Sequence, residues 1–382
     1  MRAPRDSYDV LVIGAGYAGS VLAERLASQS GLRCLVVDRR DHIAGNAYDY
    51  YDEHGVLVHK YGPHIFHTNA QRIVDYLSEF TDWRPYEHKI VADVDGRLVP
   101  LPINRNTINA LYGLDLRTEE EVEQFYDERR EPVEYIRNSE DAVVAKVGRE
   151  IYETFFRGYT RKQWQRDPSE LHASVCSRVA VRTTADDRYF GDWHQQMPAD
   201  GYTAMFERIL DHPSIEVRLE TSWDDVRDEV DYRHLVWTGP IDEFFGHRFG
   251  RLPYRSLEFD LQIVDTPDGG FALPTATTNF PSEDVPYTRV TEFRHLSGQP
   301  GLAKSTLAYE YPRSAGPPYY PVPNDEAREQ YKRYEALAAE LPDVTFVGRL
   351  ARYQYLNMDQ VVGQALAAYD RLIESGLLAL AA

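Results

Sequence analysis

Gly14, Gly16 and Gly19 stand in a Gly-x-Gly-x-x-Gly spacing between the β-branched run Asp9 to Ile13 and a helical pattern carrying Ala18, Leu22 and Leu26. That arrangement is suited to a pyrophosphate. The first glycine permits a tight turn, the second lets backbone approach the phosphates, and the third lets the helix pack closely on the strand. The free N–H groups and positive dipole end of the helix then face the anion. Asp38 closes the next strand pattern, Arg33 to Val37, 24 positions after Gly14, where a carboxylate accepts ribose hydroxyls. Strand, glycine turn, helix, strand and acid together predict a dinucleotide site.

Other residues carry the types needed for an anionic, ring-bearing ligand. A diphosphate calls for planar, permanently charged donors of the arginine type, where lysine gives a looser point charge, although a lone arginine reads first as a solvated surface charge. Phe155, Phe156, Tyr159, Trp164 and Tyr189 belong to an aromatic-rich chain with 27 tyrosines, and such faces stack on bases and pack against sugar C–H groups. Phe155 suits core packing as well as it suits ligand contact. Equally informative is what is missing: no Gly-x-Ser-x-Gly elbow, no metal-spaced His/Cys cluster and no carboxylate pair for glycosidic acid–base work.

The elements that position these residues fall into two or three compact units, as 382 residues suggest. The opening unit predicts a parallel, doubly wound (Rossmann-like) α/β sheet. From about Ala70 to Thr160 the pattern turns helical and acidic; Thr118 with Glu121 forms a capping box, and Ser139 is placed to cap a second helix. From Tyr254 to Tyr311 short strands such as Ser256 to Val264 and Arg289 to Phe293 alternate with turns, predicting an antiparallel sheet. Val344 to Val347 reads as a strand and Met358 to Leu377 as a closing helix. The expected division is a cofactor domain of residues 1–75, about 195–240 and 335–382; a helical insert of 76–160; and a sheet domain of 161–194 with about 241–334, whose segment 167–178 is a mobile loop.

A net charge of −19 argues against nucleic acid or an anionic membrane as partner. The longest apolar runs are too short to span a bilayer. Met1 to Ser7 is polar and lacks an apolar stretch, so the cytoplasm is the expected compartment. Cys34 and Cys176 make no disulfide framework, and Cys34, within an apolar strand, reads as a buried inert thiol.

Longer stretches carry a resemblance. Arg39-Arg40 followed by Ala44-Gly45-Asn46-Ala47, and Phe346-Val-Gly348-Arg349 followed by Tyr355-Leu356-Asn357-Met358-Asp359, resemble the cofactor elements of flavoproteins related to amine oxidases. Tyr61-Gly-Pro-His64-Ile65-Phe-His67-Thr resembles the histidine loop of the UDP-galactopyranose mutase family. Gly158-Tyr159-Thr-Arg-Lys-Gln-Trp164 resembles its sugar-nucleotide segment. Ala173-Ser-Val-Cys-Ser-Arg178, Asn279 with Arg289, and Tyr319-Tyr320-Pro-Val follow in family order.

The resemblance implies FAD, active only when reduced, and an isomerase of the UDP-galactopyranose mutase type interconverting UDP-galactopyranose and UDP-galactofuranose. Flavin N5 would attack the anomeric carbon and expel UDP. It further implies cofactor contacts at Gly14, Gly16, Ala18, Gly19, Asp38, Arg39, Gly45, Asn46, His64, Ile65, Val217, Gly348, Arg349, Leu356, Asn357, Met358 and Asp359. Substrate contacts fall at His88, Phe155, Phe156, Tyr159, Trp164, Arg178, Tyr189, Asn279, Arg289, Tyr320, Tyr355 and Asn357. Arg178, Arg289, His64 and His67 are the expected catalytic residues, Arg178 on a loop that closes with substrate, and the protein is expected to be a homodimer. The sequence departs from the family pattern at Ala44, where glycine is usual, at Asn357, often aspartate, and at His88, often asparagine. Alternatives on the same fold are a flavin amine oxidase or desaturase and a non-catalytic GDI-type binding protein. The paired arginines argue against the first, and the intact fingerprint with Asp38 and Arg349 against the second.

Overall fold

The computed structural model describes residues 6–176, 179–266 and 268–376. Its first unit is a five-stranded parallel sheet in the order Ile215–Arg218, Cys34–Val37, Asp6–Ile13, Val230–Trp237, Val344–Phe346. Cys34–Val37 is buried at every position, because helices cover both faces and the strands read as apolar runs instead of alternating. The first helix, Tyr17–Ser30, starts directly after Gly16 and stops at Gly31, whose left-handed φ of 67° turns its N–H back to Ala27 and Leu26 carbonyls. Val21, Leu22 and Leu26 are fully buried, and the helix packs against Tyr202–Leu210 and Met358–Glu374. Cys34 lies in this core, and burial pushes its thiol up to about 12, as befits an inert packing residue.

The second unit is a mainly antiparallel seven-stranded sheet. Its order is Tyr320–Pro321, Tyr254–Asp265, Lys304–Arg313, Arg289–Glu292, Thr277–Asn279, Ile90–Val94, Arg97–Leu101. Register within it sets the site. Asn279 pairs with Arg289, Arg289 with Glu310, and Glu310 with Phe259, forming one row across four strands. Residues directly opposite one another on neighbouring strands share a face.

The segment expected to be helical from Ala70 onward is interrupted by strands Trp83–Pro85, Ile90–Val94 and Arg97–Leu101. The last two extend the large sheet through pairing of Ile90–Val94 with Thr277–Asn279. Beyond them the helices appear as expected, and the Thr118–Glu121 capping box is formed. Ser139 is not the cap of the next helix: Asn138 accepts from Asp141 N at 2.9 Å, while the Ser139 hydroxyl donates to His172 O at 2.7 Å. The amide reaches the third N–H from one residue earlier, which frees the hydroxyl to tie down the 171–176 stretch. Among the described residues no helix is long and apolar enough to cross a membrane.

Candidate functional site

A cavity of about 620 Å³ runs along the carboxyl ends of the parallel strands, the usual ligand position in such a sheet. Gly14, Gly16, Ala18, Asp38, Arg39, Gly45, Asn46, His64, Gly348, Arg349 and Met358 line it. Backbone geometry explains the small residues. Gly14 has φ 107° and donates its N–H to Val37 O at 2.8 Å. Gly45, at φ 57°, faces Gly16 so closely that a β-carbon on Gly45 would stand 3.0 Å from Gly16 Cα. Gly348, at φ 96°, meets the Ala18 methyl in the same way, at 2.9 Å. Ala44 occupies the left-handed region at φ 68°, which explains why glycine suits this position.

Asp38 accepts from Ala15 N at 2.9 Å through Oδ2 and from Arg40 N at 3.0 Å through Oδ1. Each oxygen keeps a lone pair for a ligand hydroxyl. Arg40 reaches Asn46 Oδ1 at 2.8 Å and ties the extension after the second strand together. Thr221, Trp223, Thr238 and Gly239 also line the cavity; sequence reasoning missed them, although Thr221 follows the strand Ile215–Arg218 after two residues and leads into a helix capped by Ser222.

Some expected cofactor residues stand elsewhere. Val217 sits in mid-strand opposite Val36 and packs on the core, outside the cavity lining, because strand residues alternate between packed faces. Gly19 serves helix packing: a β-carbon there would fall 1.9 Å from Gly14 O. Ile65 packs on the core. Leu356 contributes its carbonyl to Arg349 Nη2 at 2.6 Å, Asp359 accepts from Thr68 at 2.8 Å, and Asn357 N donates to Gln360 Oε1 at 2.9 Å.

A second cavity adjoins the large sheet. Phe155, Phe156, Tyr159, Trp164, Tyr189, Asn279, Arg289, Tyr320 and Tyr355, nine of the expected substrate contacts, all line it. Phe155 and Phe156 are also core residues of the insert, so both readings of Phe155 hold together. These aromatics come from a helical run in which Tyr152–Arg157 forms a π-helical turn before Gly158–Trp164, and such turns re-aim side chains at functional sites. Gly158 lets that run touch the sheet, since a β-carbon would lie 2.5 Å from Pro281 O.

Arg289 donates from Nε and Nη2 to one Glu310 oxygen, at 2.8 and 2.7 Å. Glu310 is 2% exposed and lines the cavity. Burial works against the Arg289 charge, but Glu310 beside it holds the guanidinium well above its ordinary range, leaving Nη1 for an anion. Glu310 was not anticipated; its one sequence signal is an acid within the tyrosine-flanked strand Lys304–Arg313. Tyr320 stacks on Tyr355 with centroids 4.9 Å apart. Arg349 lies 5.3 and 5.8 Å from those two rings, so one guanidinium joins the two cavities. Arg178 falls outside the described residues.

His64 lines the first cavity, with Nδ1 2.8 Å from Gly62 O and its backbone N–H donated to His59 Nδ1 at 3.1 Å. Burial, with His59, Arg349 and Arg289 nearby, lowers it to about 3. It is neutral, and the contact with Gly62 O places the proton on Nδ1. His67 stacks on Phe190 at 3.7 Å, and its Nδ1 meets Asp192 at 2.8 Å. His88 is buried beneath Tyr189 and Phe190, with Nδ1 3.0 Å from the Tyr86 hydroxyl. His67 and His88 line neither cavity and form its supporting wall.

Burial likewise lowers His59 and His88 to about 3. Below the free imidazole value near 6.5 the unfolded chain binds protons that the folded chain refuses, so stability falls as pH drops from about 6.5 toward 3. The melting temperature is expected to decline already between pH 6.5 and 5, where carboxylates remain largely ionised. His88→Asn should flatten that slope in thermal melts at fixed ionic strength; a slope equal to the parent's would refute the assignment.

A family model for UDP-galactopyranose mutase matches residues 154–355, and one for an NAD(P)-binding Rossmann-like domain matches residues 12–80. The chain is 38% identical over 371 residues to a probable UDP-galactopyranose mutase of Klebsiella pneumoniae, covering 96% of this chain and 95% of that one. It is 36% identical over 375 residues to a dTDP-fucopyranose mutase of Escherichia coli, covering 96% and 98%. Its fold is similar to a crystal structure of reduced UDP-galactopyranose mutase, with TM-score 0.76, 20% identity and coverage of 97% and 96%. A putative protoporphyrinogen oxidase from Exiguobacterium shares the fold at TM-score 0.67 and 13% identity, over 97% and 100%. With this glycine-turned parallel sheet and an arginine–glutamate row facing a second cavity, the chain belongs to the UDP-galactopyranose mutase family of isomerases.

Proposed function

We propose that this protein interconverts UDP-galactopyranose and UDP-galactofuranose, with reduced FAD in the first cavity and the nucleotide sugar in the second. The observation that carries this reading is the junction at Arg349, which lines the cofactor cavity while lying over Tyr320 and Tyr355 of the other. FAD fits the residues present: glycine backbones at Gly14, Gly16 and Gly45 for the pyrophosphate, Asp38 for a ribose, and His64 with Arg349 at the end nearest the second cavity. Bound and reduced, it would supply the N5 nucleophile for the anomeric carbon.

The chain's own residues do the rest. Arg289 holds the diphosphate through the guanidinium face that Glu310 leaves free, keeping the leaving group in place for its return. Tyr159 and Tyr320, both held protonated by burial, offer O–H donors to phosphate oxygens. His64 acts as a neutral hydrogen-bond acceptor, and compensation of negative charge falls to Arg289 and Arg349. Asp192 orients His67. Asp167, where the segment leading toward Arg178 begins, is bound by Arg161 at 2.6 and 2.9 Å. The homodimer belongs to the same reading and is read by sedimentation of the holoprotein.

Dithionite-reduced holoprotein incubated with UDP-galactofuranose is expected to yield UDP-galactopyranose by chromatography, with no conversion in the oxidised control. Conversion in the oxidised control, or none in either, would refute the proposal. A dTDP-linked 6-deoxy sugar is the second reading, favoured by the near-equal identity to the E. coli dTDP-fucopyranose mutase. The same assay with dTDP-fucofuranose decides between them by relative kcat/KM.

A further inference from the structure

On the helix Gly158–Trp164, Tyr159, Thr160, Gln163 and Trp164 form the stripe that faces the second cavity. The side-chain oxygen of Gln163 is buried and has no hydrogen-bond partner. The nearby polar groups are engaged elsewhere or do not reach it. Thr160 Oγ1 meets Cys176 Sγ at 3.4 Å. Arg255 donates to the Gln163 backbone carbonyl at 3.0 Å and to Gln165 Oε1 at 3.2 Å, and its own Nη2 is without a partner. The amide oxygen is therefore not used on the guanidinium that grips the same residue. Leu101, Phe155, Phe156, Val175 and Val179 give the same cavity an apolar lining, and none of its donor-bearing members, Tyr159 and Tyr189 among them, bonds the amide oxygen. A desolvated acceptor in such a setting carries a free-energy cost that a ligand donor removes. For the same reason, a site built to receive a hydrogen bond rejects analogues that lack the donor.

We infer that Gln163 is a specificity-determining residue whose amide accepts a hydrogen bond from the nucleoside of the substrate. Pyrimidine N3–H and the ribose 2′-hydroxyl share this chemistry. The inference rests on the nucleotide-sugar reading of the second cavity, and UDP binding to the wild type tests that reading separately.

Calorimetric titration of the FAD holoprotein with UDP, N3-methyl-UDP and 2′-deoxy-UDP tests the assignment. In the wild type, one of the two analogues is expected to bind about tenfold more weakly than UDP, and the analogue affected names the donor. Gln163→Leu should weaken UDP by about the same factor and abolish the difference between UDP and that analogue. Gln163→Glu, which keeps acceptor oxygens and the side-chain length, should preserve the discrimination. Equal weakening of all three nucleotides in Gln163→Leu, or none, would place the amide in packing against Arg255 and overturn the inference. Failure of the wild type to bind UDP would sink the nucleotide-sugar reading and this assignment together.

Discussion

Replacing Arg289 with lysine is expected to lower kcat/KM for the sugar nucleotide by about two to three orders of magnitude, with weaker UDP binding alongside. The reason is geometric. Arg289 already gives two N–H groups to Glu310 at 2.8 and 2.7 Å and still presents a planar edge to the cavity, which a lysine ammonium cannot do from one nitrogen. Arg289→Ala should be worse in a distinguishable way. It strands the buried Glu310 carboxylate, and removing one partner of such a pair costs about 3–5 kcal/mol, so the melting temperature falls as well as activity. Arg289→Ala combined with Glu310→Gln should recover stability without recovering turnover. Turnover in Arg289→Lys within about threefold of wild type would remove the guanidinium from the reaction.

The second large effect separates two glycines that look alike in the sequence. Gly16→Ala adds a β-carbon in ordinary contact with Gly45, 3.6 Å away, so the protein should fold, but the methyl projects into the phosphate approach. Purified Gly16→Ala is expected to be nearly colourless at 450 nm, with an affinity for added FAD reduced by about 100-fold, equivalent to about 2.7 kcal/mol of lost close approach. Gly19→Ala instead meets Gly14 O at 1.9 Å, forces the helix from the strand, and should lose both flavin and thermal stability. If Gly16→Ala retained full flavin, the turn would serve packing alone.

Much of this was legible because it is local. The fingerprint, Asp38 and the parallel unit follow from a short stretch in which pattern and spacing agree, and Thr118 with Glu121 announces its cap within four residues. What escaped is set by distant pairing. Strand Ile90–Val94 forms against Thr277–Asn279, far along the chain, so its segment was absorbed into a helical insert. Glu310 gains its importance only from the register that sets it opposite Arg289. Asn138 and Ser139 are both good capping types, and local sequence does not choose between them; His172 does, by claiming the hydroxyl. Val217 differs from these: its cofactor contact is implied by likeness alone, and its side chain packs on the core.

Backbone hydrogen bonding spaces Asn279, Arg289 and Glu310 at the common strand separation of about 4.8 Å, whatever side chains occupy the positions. Chemistry and spacing are thereby uncoupled: exchanging one of the three alters what a ligand meets and leaves its neighbours where they were. Residues added to the 280–288 connection would be absorbed at a hairpin end, whereas a single residue added inside a strand would swing its member of the trio to the opposite face. Diversification of substrate choice in such a scaffold is thus channelled into substitution along the strands and into changes of loop length beyond them.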